Sequence, residues 1–289
     1  MDITFRPLHP LFVAEAGGID LRRADSAALD GIRAGMDRYA VLVFRDQPLT
    51  DADQLAFAQH LDGALHARTG ISALQKNRFG NEALTDISNV TDRGEIMQAE
   101  DRRRAYSLAN RLWHTDASFQ DPPGRYSMLH ARVVPPVAAD TEFTDMRSAY
   151  DELPAAIQAK IEGLQAHHSI AYSRQTLGFE FSEDEKEQLK GAVHPLVRTL
   201  PRSQRKSLYL ASHAFRIIGW PVPDGRLLLK DLIEHATQRQ FVYAHRWTVG
   251  DLVMWDNRRT MHRARPFPAH EPRDMRRTTL IGDGPTVAQ

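Results

Sequence analysis

Apolar positions along the chain follow two rhythms, one helical and one extended. In residues 26–38, SAALDGIRAGMDR, the side chains of Leu29, Ile32 and Met36 recur at helical spacing and mark a single face. YAVLVF at 39–44 is an unbroken apolar run, which predicts a buried strand, and DQPL follows as its turn. Thr50 and Asp51 offer caps for a helix through LAFAQHL that ends near Gly63. Residues 66–110 lose this periodicity. They are polar and irregular and carry NRFGNE and the charge run EDRRR. A structureless segment of that length predicts a lid or binding insert, with EDRRR as a solvated surface run.

From residue 112 onward short strands alternate with turn signals. LWHTDASFQ (112–120), YSMLHARVV (126–134), TEFTDM (141–146), LYLASHAF (208–215), DLVMWDN (251–257) and MRRTTLIG (275–282) all read as strands. Helices interrupt them around 147–164 and 226–238. In the first, Ala149, Leu153, Ile157, Ile161 and Leu164 form an apolar stripe. Mostly β with helices packed outside predicts a double-stranded β-helix, a jelly roll of the cupin-like kind, rather than a βαβ sheet. No glycine-rich phosphate loop stands between a strand and a helix.

Composition narrows the chemistry. Lys plus Arg balances Asp plus Glu at 37 each, so no global field draws the protein to nucleic acid or to an anionic membrane. Attraction for anions must be local. Without cysteine there is no disulfide framework, thiolate metal site or cysteine nucleophile, in keeping with a reducing compartment. The N-terminus MDITFRPLHP lacks an apolar signal core, and no apolar run reaches the roughly 18 residues of a membrane span. A cytoplasmic protein is the expectation. G-x-S-x-G and H-E-x-x-H are also missing, which leaves a hydrolase without its usual motifs.

A polar pair inside an apolar run is either local polarity without consequence or part of a metal site, which requires partners elsewhere in the sequence. His114 and Asp116 stand two apart inside the apolar run 112–120. With 13 histidines and 37 acids, about one or two His-x-acid pairs arise by chance, and His60-Leu61-Asp62 is a second. The second pair sits on a helix, where positions two apart point about 200° from each other. On a strand, positions i and i+2 face the same side, so His114 and Asp116 converge. His130, His213, His245 and His262 are candidates for a third ligand. Of these, His262 is the strongest, because it follows LVMWDNRRTMH, where an apolar strand gives way to a polar turn. Two histidines and a carboxylate form the facial triad of non-haem Fe(II) oxygenases. Taken alone, His114 is an ordinary hydrogen-bonded histidine.

In PRDMRRTTL, Arg273 and Arg277 are four apart, which on a strand turns both to one face with Met275 and Thr279 while Arg276 faces away. Two inward guanidiniums require anions, and guanidinium pairs bidentately with carboxylates. The alternative is a salt-bridged basic edge.

LWHTDASF, ADTEFTDMRSAY, GDLVMWDNRRTMHRA and the closing R-x-x-x-R together resemble the TauD/TfdA family of Fe(II)- and 2-oxoglutarate-dependent dioxygenases, and within it the branch that acts on 2,4-dichlorophenoxyacetate. RYSML, VVPP, DTEF, HPLVRT and EHATQR extend the likeness from about Leu8 to Asp283. The resemblance implies one domain over 1–289, with 66–110 as its lid or insert. It implies His114, Asp116 and His262 as iron ligands, with Thr141 and Arg273 holding the two carboxylates of 2-oxoglutarate. Arg277 takes the substrate's anionic group, and Asn110 and His213 line its pocket. Cosubstrates are 2-oxoglutarate and O₂. The implied reaction is hydroxylation of the carbon next to the ether oxygen of an aryloxyacetate, giving a phenol and glyoxylate with succinate and CO₂, a step of herbicide degradation. Phe119, Phe215, Ile217, Ile218 and Trp220 are candidates for an apolar ring slot, with Trp113 and Trp255 packing around the metal. A sulfonate, a sulfate ester or an aryloxypropionate is an alternative substrate for the same machinery. A non-catalytic metal-binding jelly roll is the alternative from another class, and a homo-oligomer is implied.

Overall fold

A computed structural model describes residues 3–67 and 78–287; residues 68–77 of the expected lid lie outside the described residues. Val41–Phe44 and Leu252–Asp256 form the middle of a seven-stranded sheet because side chains on both of their faces are covered. From edge to edge the strands are Thr4–His9, Val13–Gly17, Val41–Phe44, Leu252–Asp256, Gly124–Val133, Asp274–Ile281 and Thr85–Asp86. Pairing is antiparallel except between Val13–Gly17 and Val41–Phe44.

The period-two alternation of a strand divides these apolar runs between two cores. Leu252 and Met254 pack with Ile32, Met36 and Phe57 of the helices Ser26–Tyr39 and Asp51–Asp62. Val253 and Trp255 point the other way, onto Phe143 and Trp247. Phe143 belongs to a smaller sheet whose order is Val242–His245, Thr141–Asp145, Thr260–Ala264. Its outer side carries the helices Met146–Asp151 and Val222–Ala236 over a third cluster built on Met146, Leu229 and Met261. Two facing sheets with helices outside make the jelly roll, and the site opens where the sheets meet. Among the described residues no helix is long and apolar enough to cross a membrane.

Local structure corrects several boundaries. The run 39–44 begins as the end of a helix: Tyr39 is its last residue and Ala40 takes a left-handed cap at φ 68°, so the strand starts at Val41. Thr50 and Asp53 form a reciprocal capping box on the next helix, and Gly63 ends it. The expected helix 147–164 breaks into Met146–Asp151 and Ala155–Ile161 because Pro154 has no amide hydrogen to continue the ladder. Its stripe still packs as one surface through Ala149, Leu153 and Ile161. The expected helix 226–238 starts earlier, and spans Val222–Ala236. The expected strand 208–215 is two short strands, Lys206–Leu208 and Ala214–Ile217, separated by irregular chain. EDRRR opens the short helix Arg102–Ser107, which Asp101 caps, and is not a free surface run: Arg103 and Arg104 border the cavity described below.

The turn DNRR joins Leu252–Asp256 to Thr260–Ala264 and so fixes where His262 stands. Its anchor is Asp256, fully buried, paired with Arg258 at 2.8 Å and Arg259 at 2.9 Å. Arg259 also donates to the carbonyls of Met36 and Asp37, tying the turn to the end of the first helix. Burial pushes the Asp256 carboxyl up, but the two guanidiniums outweigh it and hold it at about 2. A depressed carboxylate stabilises the fold above its unfolded value, and that stabilisation fades as pH falls toward the folded value. Asp256→Asn is therefore expected to lower unfolding free energy by about 3 kcal/mol at neutral pH. In urea melts the deficit should be constant above about pH 4 and shrink below it; a pH-independent deficit contradicts the ion-pair account.

Candidate active site

The segment 112–120 is not a strand. His114 forms an isolated bridge, and the chain then turns at Asp116–Phe119, with Ala117 at φ 53°. The two side chains converge nonetheless, because the bridge clamps His114 to the small sheet. Its partner is His262: each donates its backbone N–H to the other's carbonyl, at 3.0 and 2.8 Å. Ring centroids of the two imidazoles then lie 4.2 Å apart. The donor atoms of His114, Asp116 and His262 all fall within 4.8 Å of one another, and among the described residues they are the one such set of three buried ligand-type side chains.

Hydrogen bonds set the chemical state of each donor. His114 Nδ1 lies 2.8 Å from the Leu112 carbonyl, which can only accept, so Nδ1 carries the proton and Nε2 presents its lone pair. Burial pushes this imidazole down to about 4, against the pull of the Asp116 charge. Burial likewise holds His262 well below its ordinary value, with His114 adding to the effect. Burial opposes ionisation of Asp116, yet the Arg277 guanidinium and the two imidazoles outweigh it and keep the carboxyl below the usual range. Two neutral nitrogens and one anionic oxygen thus face a common point. That donor set suits a divalent non-haem iron with positions left open.

Asp116 is oriented by residues that the sequence reading did not single out. Ser127 donates to Asp116 Oδ2 at 2.8 Å, and Arg277 donates to Oδ1. Asn257 donates to Ser127 and accepts both the Asp116 N–H and Trp255 Nε1. The Asn257 role had one available signal, its place in the polar turn just before His262. Nothing in the local pattern marks Ser127.

A cavity of about 320 Å³ opens over this trio. Thr141, Arg273, Arg277, Asn110 and His213 all border it. Thr141 begins its strand, and its hydroxyl oxygen accepts from Trp247 Nε1 at 2.9 Å, which leaves the hydroxyl proton to donate elsewhere. Arg273 and Arg277 share a face as their spacing requires, with Met275 in the inter-sheet core, while Arg276 turns to Asp274 and Asp51 on the other side. Burial alone draws Arg273 down to about 10, so it is a cation at neutral pH, and among the described residues no acid pairs with it. Asn110 accepts from Arg174, a residue the sequence reading passed over. His213 is fully enclosed, its Nδ1 3.0 Å from Ser173 Oγ and its ring edge-on to Phe119. His130 and His245 serve as structural histidines, bonded to the Gln47 carbonyl and to Asp251.

The expected ring slot needs correction. Of its five candidates only Phe119 reaches the cavity. Ile217 lies in the outer core, Phe215 stacks on Tyr172, Ile218 is exposed, and Trp220 meets Lys160. The apolar wall comes instead from Ile170 and from Leu84, Ile87 and Met97 of the 66–110 segment. Trp255 packs on His262 at 4.7 Å, and Trp113 lies under Arg263.

The family model described as taurine catabolism dioxygenase TauD, TfdA family, matches residues 4–279. An alpha-ketoglutarate-dependent 2,4-dichlorophenoxyacetate dioxygenase of Cupriavidus pinatubonensis is 47% identical over 285 residues, covering 98% of this chain and 99% of that protein. An (S)-phenoxypropionate/alpha-ketoglutarate-dioxygenase of Sphingobium herbicidovorans is 34% identical over 288 residues, covering 96% and 94%. Among solved structures, AAD-2 in complex with Mn(II) and N-oxalylglycine superposes with a TM-score of 0.95 at 47% identity, over 99% of this chain and all of the other. A two-histidine, one-carboxylate cluster at the mouth of a jelly roll, and a match that runs from the first strand to the last, place this chain in the TauD/TfdA dioxygenase family.

Proposed function

We propose that His114, Asp116 and His262 bind a ferrous ion, that Thr141 and Arg273 hold the two carboxylates of 2-oxoglutarate, and that the rest of the cavity receives an aryloxyacetate. The chain is an iron- and 2-oxoglutarate-dependent dioxygenase, an oxidoreductase whose relatives are named for 2,4-dichlorophenoxyacetate. The observation that carries the site assignment is the pairing of the buried trio with an acid-free buried guanidinium, Arg273, in one cavity. A structural metal site would leave that cation without a purpose.

When bound, iron and 2-oxoglutarate supply the activation of O₂ and the oxidation of a C–H bond, with 2-oxoglutarate leaving as succinate and CO₂. The residues contribute positioning. Ser127 and Arg277 hold the Asp116 carboxylate, and the Leu112 carbonyl keeps His114 turned with Nε2 inward. Thr141 and Arg273 fix the cosubstrate at two ends, while Arg277, Asn110 and His213 face the substrate. The apolar wall excludes water from the reacting carbon. Hydroxylation beside the ether oxygen gives a hemiacetal, which releases the phenol and glyoxylate.

The whole chain reads as one domain. Residues 84–89, and Arg103, Arg104, Tyr106 and Asn110 among those that follow, border the cavity, which supports the described part of 66–110 as its cover. Cytoplasmic residence and a homo-oligomer belong to the same reading, the latter on family resemblance.

Succinate release stimulated by 2,4-dichlorophenoxyacetate, compared with an aryloxypropionate, a sulfonate and a sulfate ester, tests the substrate class; no stimulation by the aryloxyacetate would overturn it. His114→Ala and Asp116→Ala should each lose Fe(II) binding in a titration and lower turnover more than about 100-fold with an unchanged circular dichroism spectrum. Ser127→Ala should weaken Fe(II) binding by about 10- to 100-fold. Arg273→Ala should raise the apparent KM for 2-oxoglutarate by about 100-fold, far more than that for the aryloxyacetate. Equal shifts would remove Arg273 from the cosubstrate.

A further inference from the structure

Buried arginines in this protein come with acids. Arg147 pairs with Asp145, Arg258 with Asp256, Arg259 with Asp37 and Arg276 with Asp274. Two buried arginines break the pattern among the described residues: Arg273 and Arg174, 6% and 4% exposed. Both border the same cavity. Arg277, the other cation close to the metal trio, already has its acid in Asp116.

Arg174 is the penultimate residue of the short helix Ile170–Gln175 and borders the cavity. Its partners are all neutral. One terminal nitrogen donates to Ser173 Oγ at 3.0 Å, the other to Asn110 Oδ1 at 3.3 Å, and the guanidinium lies over the Tyr106 ring at 4.7 Å. Its Nε has no hydrogen-bond partner among the described residues. A neutral cradle orients a guanidinium without discharging it, and an unpaired buried charge is costly unless an anion arrives. Two acid-free guanidiniums in one cavity call for two anions. The cosubstrate accounts for Arg273, so the second anion is the prime substrate's.

We infer that Arg174 is a specificity-determining residue: held by Asn110, Ser173 and Tyr106, it binds the carboxylate of the prime substrate, with Arg277 contributing whatever donors Asp116 leaves free. The inference rests on the proposed dioxygenase reading and deepens it. Phe119 and Ile170 line the same cavity and offer apolar surface for the aryl ring of the same ligand.

The test compares wild type, Arg174→Gln and Arg174→Lys in succinate-release kinetics with 2,4-dichlorophenoxyacetate, and in competition by its uncharged primary amide. Removing the charge should raise the KM for the acid by about 30-fold or more, move the apparent KM for 2-oxoglutarate less than threefold, and leave the inhibition constant of the amide within threefold. Lysine, which keeps the charge but not the fork, should fall between, and it provides the comparison if the glutamine variant does not fold. Equal changes for acid and amide, or none for the acid, overturn the inference while the dioxygenase reading stands. A wild type that does not respond to the acid at all overturns that reading, and this one with it.

Discussion

Two backbone hydrogen bonds between His114 and His262 hold the site together. They join a turn that belongs to neither sheet to a strand of the small sheet, and they do so at the two residues whose imidazoles must meet. Backbone bonds suit this task better than side-chain contacts, because they fix both Cα positions and so limit each ring to a few rotamers. The carboxylate of Asp116 then closes the set, held by Ser127 and Arg277 and backed by the Asn257 amide. The remaining architecture keeps that bridge in register. The buried Asp256 cluster locks the turn before His262, and the inter-sheet core of Phe143, Trp255 and Met275 supports the rings from behind.

The cavity is built around unbalanced charge. Burial keeps both imidazoles of the trio neutral and leaves Asp116 as its one anion, already shared with Arg277. A divalent ion entering such a place finds lone pairs without having to displace protons. On the walls, two guanidiniums stand without acids while every other buried guanidinium among the described residues has one. This imbalance is local, in a chain whose formal net charge is zero.

Periodicity carried the regular elements well. The helix Ser26–Tyr39 and the strands around 41–44, 252–256 and 274–281 were legible because each is long or apolar enough for its own pattern to show. Elements whose limits depend on a single backbone feature were not. Ala40 in a left-handed cap and Pro154 in mid-stripe each moved a boundary that hydrophobic spacing alone does not see. The segment 112–120 is the instructive case. An apolar run with His114 and Asp116 two apart reads as a strand, and the convergence it implies is present, but a bridge and a turn produce it. The ring slot failed for a related reason. Aromatics near His213 in sequence leave the cavity within two residues, and the wall is made by a distant segment.

By itself the sequence determined the fold class, the pattern of motifs that marks the family, and the shared face of Arg273 and Arg277, since each follows from residue type and from spacing within one element. Only the tertiary structure decided which charges remain unpaired. Arg277 and Arg174 look alike along the chain; one meets a carboxylate from a segment 161 positions away, the other, among the described residues, only neutral groups. Pairing across sheets depends on distances that no local pattern encodes, and in a low-dielectric interior that pairing decides whether a guanidinium's charge is already balanced.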